Sequence, residues 1–251
     1  MPPLVAVLDA NVLYPARLRD LLIRLAIAGL YQARWTERIL DECFDNLVDD
    51  RPDLSEDRIR RTRRLMAIAV PDAVVGGYEG LIAGLELSDR NDRHVLAAAI
   101  ASGATRLVTA NLADFPAPAV PAGIAAVDPD AFVLSLFEAD PEAVVAVIDE
   151  QAAALRNPPM TTSELLDGLE VVGLRRLADS VRALATVRGW PNGRIPPTCS
   201  GRPWATCWLR VRCSWPTFLG LLNGRAGSAT CAGRVSRRGL SRRRDRRCPY
   251  R

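Results

Sequence analysis

Four carboxylates occupy positions from which chemistry is easy to imagine. Asp9 directly follows the aliphatic run 4–8, Glu42 lies on a helical pattern, Asp92 opens a later one, and Asp114 follows the apolar run that ends at Thr109. Acids gathered in one place repel, so such a group is stable chiefly when a divalent cation neutralises it; otherwise a carboxyl keeps its proton. All-oxygen ligation suits Mg²⁺ or Mn²⁺ rather than zinc. The chemistry that follows is metal-assisted phosphodiester hydrolysis, with metal ions orienting and deprotonating the attacking water and stabilising the leaving oxygen. Covalent catalysis has less support, because the chain has one histidine, His94, and no Ser or Cys in a good nucleophile constellation. Taken singly, each acid has a plainer use: Asp9 as a turn residue, Glu42 as a solvated helix face, Asp92 as a cap, Asp114 in a loop. Asp9 and the 109–114 segment stand out because both follow buried strands.

The elements that must position these acids alternate. Residues 4–8, LVAVL, form a short aliphatic run that suits a strand buried on both faces. Residues 11–15 read as a loop, and then Leu18, Leu21, Leu22, Leu25 and Ala28 recur at helical spacing until Gly29. Thr36 caps a second helix with Ile39, Leu40, Cys43, Phe44 and Leu47 as its apolar stripe. Ser55 opens a third, with Glu56 and Asp57 near the positive end of its dipole. Val74 and Val75 mark a weak strand before the turn at Gly76 and Gly77. Asp89 or Asn91 caps the helix carrying Val95, Leu96, Ala98, Ala99 and Ile100, which Gly103 ends; residues 106–109 and 124–127 are further strands. Such alternation predicts an α/β domain over 1–127, a parallel sheet flanked by helices, with ligands gathered beyond the carboxyl ends of its strands. From 128 to 189 the pattern is purely helical, near 130–139, 141–155, 162–172 and 173–187, with a capping box at Thr161 and Glu164. Helices this short cannot bury their apolar faces alone, so a small all-helical C-terminal domain should pack on itself and on the first domain or a partner.

The 251 residues are 49% apolar and 25% charged, the balance of a globular protein rather than a disordered or fibrous one. A net charge of +4 hides two unlike segments: 1–189 hold 19 Arg against 28 Asp and Glu, whereas 190–251 hold 14 Arg against one Asp. No lysine occurs anywhere, which suggests a GC-rich codon bias and empties the overall charge of meaning for partners. Cys43 lies in the body, while Cys199, Cys207, Cys213, Cys231 and Cys248 lie in the last stretch without C-x-x-C spacing, so a structural zinc site has little support. Residues 190–251 lose all periodicity. A shifted reading frame, an Arg-rich nucleic-acid-binding tail and a small domain of unfamiliar pattern all remain open. No apolar run approaches the roughly 20 residues of a membrane span, and no basic segment precedes the first hydrophobic stretch, so the expected location is cytoplasmic with no membrane partner.

Several motifs, in order over about 4–127, resemble the PIN domain family: Val7-Leu-Asp9-Ala-Asn11-Val-Leu13, the helical Ile39-Leu-Asp-Glu42, Asp89-Arg-Asn-Asp92-Arg-His-Val-Leu-Ala-Ala-Ala99, and Leu107-Val-Thr109-Ala-Asn111-Leu-Ala-Asp114-Phe. More narrowly, Asp9-Ala-Asn-Val-Leu-Tyr-Pro15 with Leu18-Arg-Asp20, followed by the helical appendage, is similar to a bacterial VapC-like toxin branch with its own C-terminal helical domain. The resemblance implies an Mg²⁺- or Mn²⁺-dependent endoribonuclease acting on RNA and restrained by an antitoxin protein, with a homodimer among its partner states. It also implies that Asp9, Glu42 and Asp92 stand in the acidic core. The family's fourth acid often lies two residues after the Thr, where this chain has Asn111; either Asn111 serves as a neutral ligand or Asp114 substitutes. Asn11 and Thr109 then orient water or phosphate.

Other residues have two readings each. Arg58, Arg60, Arg61, Arg63 and Arg64 form either an RNA-binding patch or, more simply, a solvated helix face paired with acids. Arg90 and Arg93 flank Asp92 and are better placed to hold a substrate phosphate. His94 is a proton donor or a polar residue in a first helical turn, and Tyr14 and Trp35 stack on a base or pack in the core. Two rivals to the toxin reading are a PIN-fold processing nuclease without an antitoxin and a catalytically silent binding module.

Overall fold

A computed structural model describes residues 4–188. Its centre is a sheet of four parallel strands in the order β2-β1-β3-β4, formed by β1 (Val5–Leu8), β2 (Gln32–Arg34), β3 (Arg106–Val108) and β4 (Ala125–Val127). β1 pairs with β2 at Ala6 opposite Ala33 and with β3 at Val7 opposite Leu107. A strand enclosed on both edges and both faces needs apolar residues throughout, which is why Ala6, Val7 and Leu8 are fully buried. The weak strand expected at Val74 and Val75 is instead a single bridge from Val74 to Trp35. β2 escapes sequence reading because Gln-Ala-Arg buries only Ala33 and shows no apolar run. The chain leaves β1 toward β2 on one side and returns to β3 on the other, so the carboxyl ends of β1 and β3 border the crevice where such sheets bind ligands.

The residues after Asp9 form a one-turn helix, α1 (Ala10–Leu13), rather than the expected loop. The turn forms because the Asp9 side chain accepts the Ala10 amide at 2.7 Å while the Asp9 carbonyl accepts those of Val12 and Leu13. α2 (Ala16–Ile27) is buried around its whole circumference from Leu18 to Leu25, since the sheet lies on one side and the C-terminal helices cover the other. Gly29, with φ of 77°, lets the chain leave α2 while the Leu30 amide reaches the Leu25 carbonyl at 3.1 Å. α3 (Glu37–Asp50) starts at Thr36, whose hydroxyl accepts the Ile39 amide at 3.0 Å, a cap that contributes about 1 kcal/mol. α4 (Glu56–Ala69) and the single turn α5 (Glu79–Ile82) follow. α6 (Arg93–Ala101) begins later than expected: Asp89 accepts the Asn91 amide at 2.8 Å, and Asp92 stands at the cap position without using its side chain as a cap. That leaves the Asp92 carboxylate available to the crevice.

The purely helical stretch is α7 (Pro129–Ala139), α8 (Pro141–Ala154), α9 (Thr162–Val171) and α10 (Arg175–Val187). Asp128 and Asp140 cap α7 and α8, and Thr161 with Glu164 forms a reciprocal capping box on α9. α10 lacks a cap of its own; Asp130, buried on α7, accepts the Arg176 and Leu177 amides at 2.9 Å each. α8 and α9 rest on α2, where the Gln151 side chain donates to the Arg17 carbonyl at 2.9 Å. One continuous core joins the sheet, α2 and these helices. Among the described residues no helix is long and apolar enough to cross a membrane. The readings of 190–251 and its five cysteines lie outside the described residues.

Candidate active site

Asp9 leaves the end of β1 and Thr109 the end of β3, and adjacent parallel strands bring them side by side. The Thr109 hydroxyl donates to Asp9 Oδ2 at 2.7 Å, and the Asn11 amide donates to the same oxygen at 2.6 Å. Asn11 Oδ1 accepts the Ala110 amide at 3.0 Å, so Asn11 ties α1 to the segment after β3. Asp9 and Thr109 are both buried. Burial pushes the Asp9 carboxyl above its ordinary value; the bonds from Thr109 and Ala10 and the His94 charge pull it down, while the Glu42 charge adds to the rise.

Asp92 comes from the start of α6 and Asp114 from a 3-10 turn over Leu112–Asp114. Burial, then the negative charges of Asp114, Asp9 and Asp89, push the Asp92 carboxyl up to about 6. Its Oδ2 is buried and has no hydrogen-bond partner. Asn111 donates its side-chain amide to Asp114, and its backbone amide to the Thr109 hydroxyl at 3.1 Å. Asn111 and Asp114, the two alternatives for a fourth ligand, are therefore a bonded pair, with the formal charge on Asp114.

Glu42 projects from α3 and is half-buried, neither a free solvated residue nor an isolated one. His94 Nε2 donates to Glu42 Oε1 at 3.0 Å, and Arg38 Nε donates to the same oxygen at 3.1 Å. Burial raises the Glu42 carboxyl, yet the bonds and charges of His94 and Arg38 outweigh it and hold the group below its ordinary value. His94 stands in the first turn of α6, is 1% exposed and is tethered to an acid. Sequence distance hides this contact, and only the meeting of α6 with α3 reveals it.

Asp92 feels the charges of Asp114 and Asp9, and Asp9 feels that of Glu42. Among the described residues no three His, Cys, Asp or Glu side chains form a ready metal-holding group. Arg90 is exposed and Arg93 half-buried beside it, and neither forms an ion pair among the described residues. On α4, Arg60 pairs with Asp57 at 2.8 Å, and Arg63 with Asp41 at 2.6 Å and with Glu37, as the solvated-face reading expects. Trp35 is fully buried in the core, and the Tyr14 hydroxyl donates to Asp50 at 2.8 Å.

Residues 5–113 match the sequence family described as PIN domain, and residues 129–183 match the VapC50 C-terminal domain. Residues 5–113 are thus similar to the PIN-domain family. The PIN match includes Asp9, Glu42, Asp92 and Asn111 and stops one residue short of Asp114. A protein of Mycobacterium tuberculosis named "Putative ribonuclease VapC50" is 44% identical over 94 residues, which are 37% of this chain and 55% of that one. The match thus spans about half the length of that curated relative. No solved structure matches the chain.

Proposed function

We propose that this protein is a metal-dependent endoribonuclease, with a nuclease domain over 1–127 and a helical domain over 128–189, acting in the cytoplasm as the toxin of a toxin–antitoxin pair. The observation that carries the reading is Asp92: its Oδ2 is buried without a hydrogen-bond partner, and burial with the charges of Asp114, Asp9 and Asp89 and a hydrogen bond to Asp114 pushes its carboxyl up to about 6. A site left with this much unneutralised negative charge suits a cation.

The donors fit a hard divalent ion. Mg²⁺ keeps several of its waters and is bound through one or two carboxylates, so it does not require three acids already clustered. In this reading Asp9, Glu42, Asp92 and Asp114 hold Mg²⁺ or Mn²⁺ directly or through its waters. When bound, the ion supplies charge neutralisation and Lewis acidity for phosphodiester hydrolysis. Thr109 and Asn11 fix the direction of Asp9 Oδ2 through bonds of 2.7 and 2.6 Å. His94 holds Glu42, Asn111 holds Asp114, and Arg90 and Arg93 bind the phosphate, as unpaired cations beside Asp92 can do. The likeness to the mycobacterial protein and the family resemblance support RNA as substrate and an antitoxin protein as partner.

Purified protein incubated with labelled single-stranded RNA should cleave it in Mn²⁺ or Mg²⁺ and stop in EDTA, and Asp9→Asn and Asp92→Asn should each abolish cleavage. Cleavage that survives in both variants would overturn the mechanism.

A further inference from the structure

Arg19 is fully buried, yet it forms no ion pair among the described residues; its neighbour Asp20 is taken by Arg24 at 2.9 Å. Two of its nitrogens, Nε and Nη2, have no hydrogen-bond partner. The third, Nη1, donates to the Leu13 carbonyl at 2.5 Å and the Tyr14 carbonyl at 3.2 Å. The guanidinium carbon lies 5.8 Å from the centroid of the Phe44 ring on α3. Cys43 on α3 and the Asp20 charge beside it support the guanidinium, yet burial still pulls its pKa below the ordinary value; such a cation is expensive to keep, and an apolar side chain of similar volume would pack in its place without that penalty.

The acceptors explain what the cation does. Leu13 is the last residue of α1 and Tyr14 its C-terminal cap, so Arg19 satisfies carbonyls that a helix end leaves without partners. α1 is one turn long and cannot hold itself, and it carries Asn11 and is opened by Asp9. Asp9 fastens the front of the turn through the Ala10 amide at 2.7 Å; Arg19 fastens its back. From α2, the same side chain reaches α1 and meets Phe44, two residues beyond Glu42.

We propose that Arg19 is a positioning residue of the nuclease site: it clamps the carbonyl end of α1 against α2 and α3 and so fixes Asp9 and Asn11 for hydrolysis. This rests on the ribonuclease reading above, but the hold on α1 has a readout independent of it. Arg19→Met keeps the volume and removes the donors. Arg19→Lys keeps the charge but puts a shorter side chain in place of the guanidinium whose Nη1 reaches both carbonyls.

Hydrogen exchange and RNA cleavage, measured on the full chain, test the clamp. In both variants the amides of residues 10–14 should exchange at least tenfold faster, while those of 5–8 and 106–108 keep their protection. Cleavage should fall at least tenfold in kcat for Arg19→Met and at least threefold for Arg19→Lys, with KM for RNA within about twofold of the parent. A side chain that only fills space would leave exchange at 10–14 and kcat unchanged wherever the fold persists. If Arg19→Met does not fold, Arg19→Lys decides: parental exchange and parental kcat overturn the proposal. If the parent itself cleaves no RNA, the ribonuclease reading fails, and exchange at 10–14 alone decides the clamp.

Discussion

His94 Nε2 lies 3.0 Å from Glu42 Oε1, joining the first turn of α6 to the middle of α3 beneath the acidic crevice. The histidine is buried while the carboxylate is half-open, so the enclosed partner directs the more exposed one. The His94 charge also lowers the carboxyl of Asp9. A buried donor placed behind a ligating acid commonly governs activity by 10- to 100-fold. We expect His94→Ala to reduce RNA cleavage by about that factor, and His94→Gln, which keeps an N–H, to lose less. Equal activity in all three proteins would dismiss the tether.

Asp92 makes the fold sensitive to pH in a defined direction. Its folded carboxyl titrates near 6 against an ordinary value of 3.8, so the charged form is disfavoured by folding. The penalty is absent below about pH 3.8, grows as pH rises toward 6, and is constant above it. The side chain is partly open to water, so screening reduces the effect to roughly 1 kcal/mol or less. In EDTA, Asp92→Asn should melt up to about 2–4 °C above the parent at pH 7.5, and the gap should close near pH 4. A gap independent of pH would contradict the shift.

Thr109 is fully buried, and its hydroxyl donates to Asp9 while accepting from Asn11 and from the Asn111 amide. Thr109→Val keeps the shape and removes all three bonds. Unsatisfied buried partners cost about 1–3 kcal/mol, and Asp9 Oδ2 loses one of its two fixed donors. The variant should be folded but less stable, with kcat reduced about tenfold or more. Wild-type kcat in a folded variant would show that Asp9 needs no such support.

Asp130 offers a control remote from the crevice. It accepts the Arg176 and Leu177 amides and the Arg176 guanidinium, joining α7 to α10. Asp130→Ala should cost roughly 2–3 kcal/mol, a fall of about 4–12 °C in Tm, while kcat per folded molecule stays the same. A selective loss of kcat would mean that the helical region has a direct part in the chemistry.

The elements legible in the sequence are those with strong local signals. The aliphatic run of β1, the Thr36 cap, the capping box at Thr161 and the apolar stripes of α2 and α3 each specify their conformation within a few residues. β2 and α1 were not legible, because β2 is held by pairing with β1 and α1 by bonds to Asp9 and Arg19. The placement of acids after β1 and β3 followed from the general rule for parallel sheets. The His94 tether, the Asn111–Asp114 pair and the Arg19 clamp depend on where segments meet in space, and no spacing along the chain announces them. The helices of α7 to α10 read clearly, but their seat on α2 shows only in the burial of Arg19, Asp20 and Arg24 on a helix that sequence reads as one-sided.

The claim on which all of this turns is that the carboxylates at the end of β1, on α3 and at the start of α6 share one cation. A crystal of the full chain soaked in Mn²⁺ and measured at the manganese absorption edge tests it most directly. We expect an anomalous peak between the Asp9 and Asp92 carboxylates that disappears in Asp92→Asn; manganese bound only elsewhere, or an unchanged peak in the variant, would contradict it.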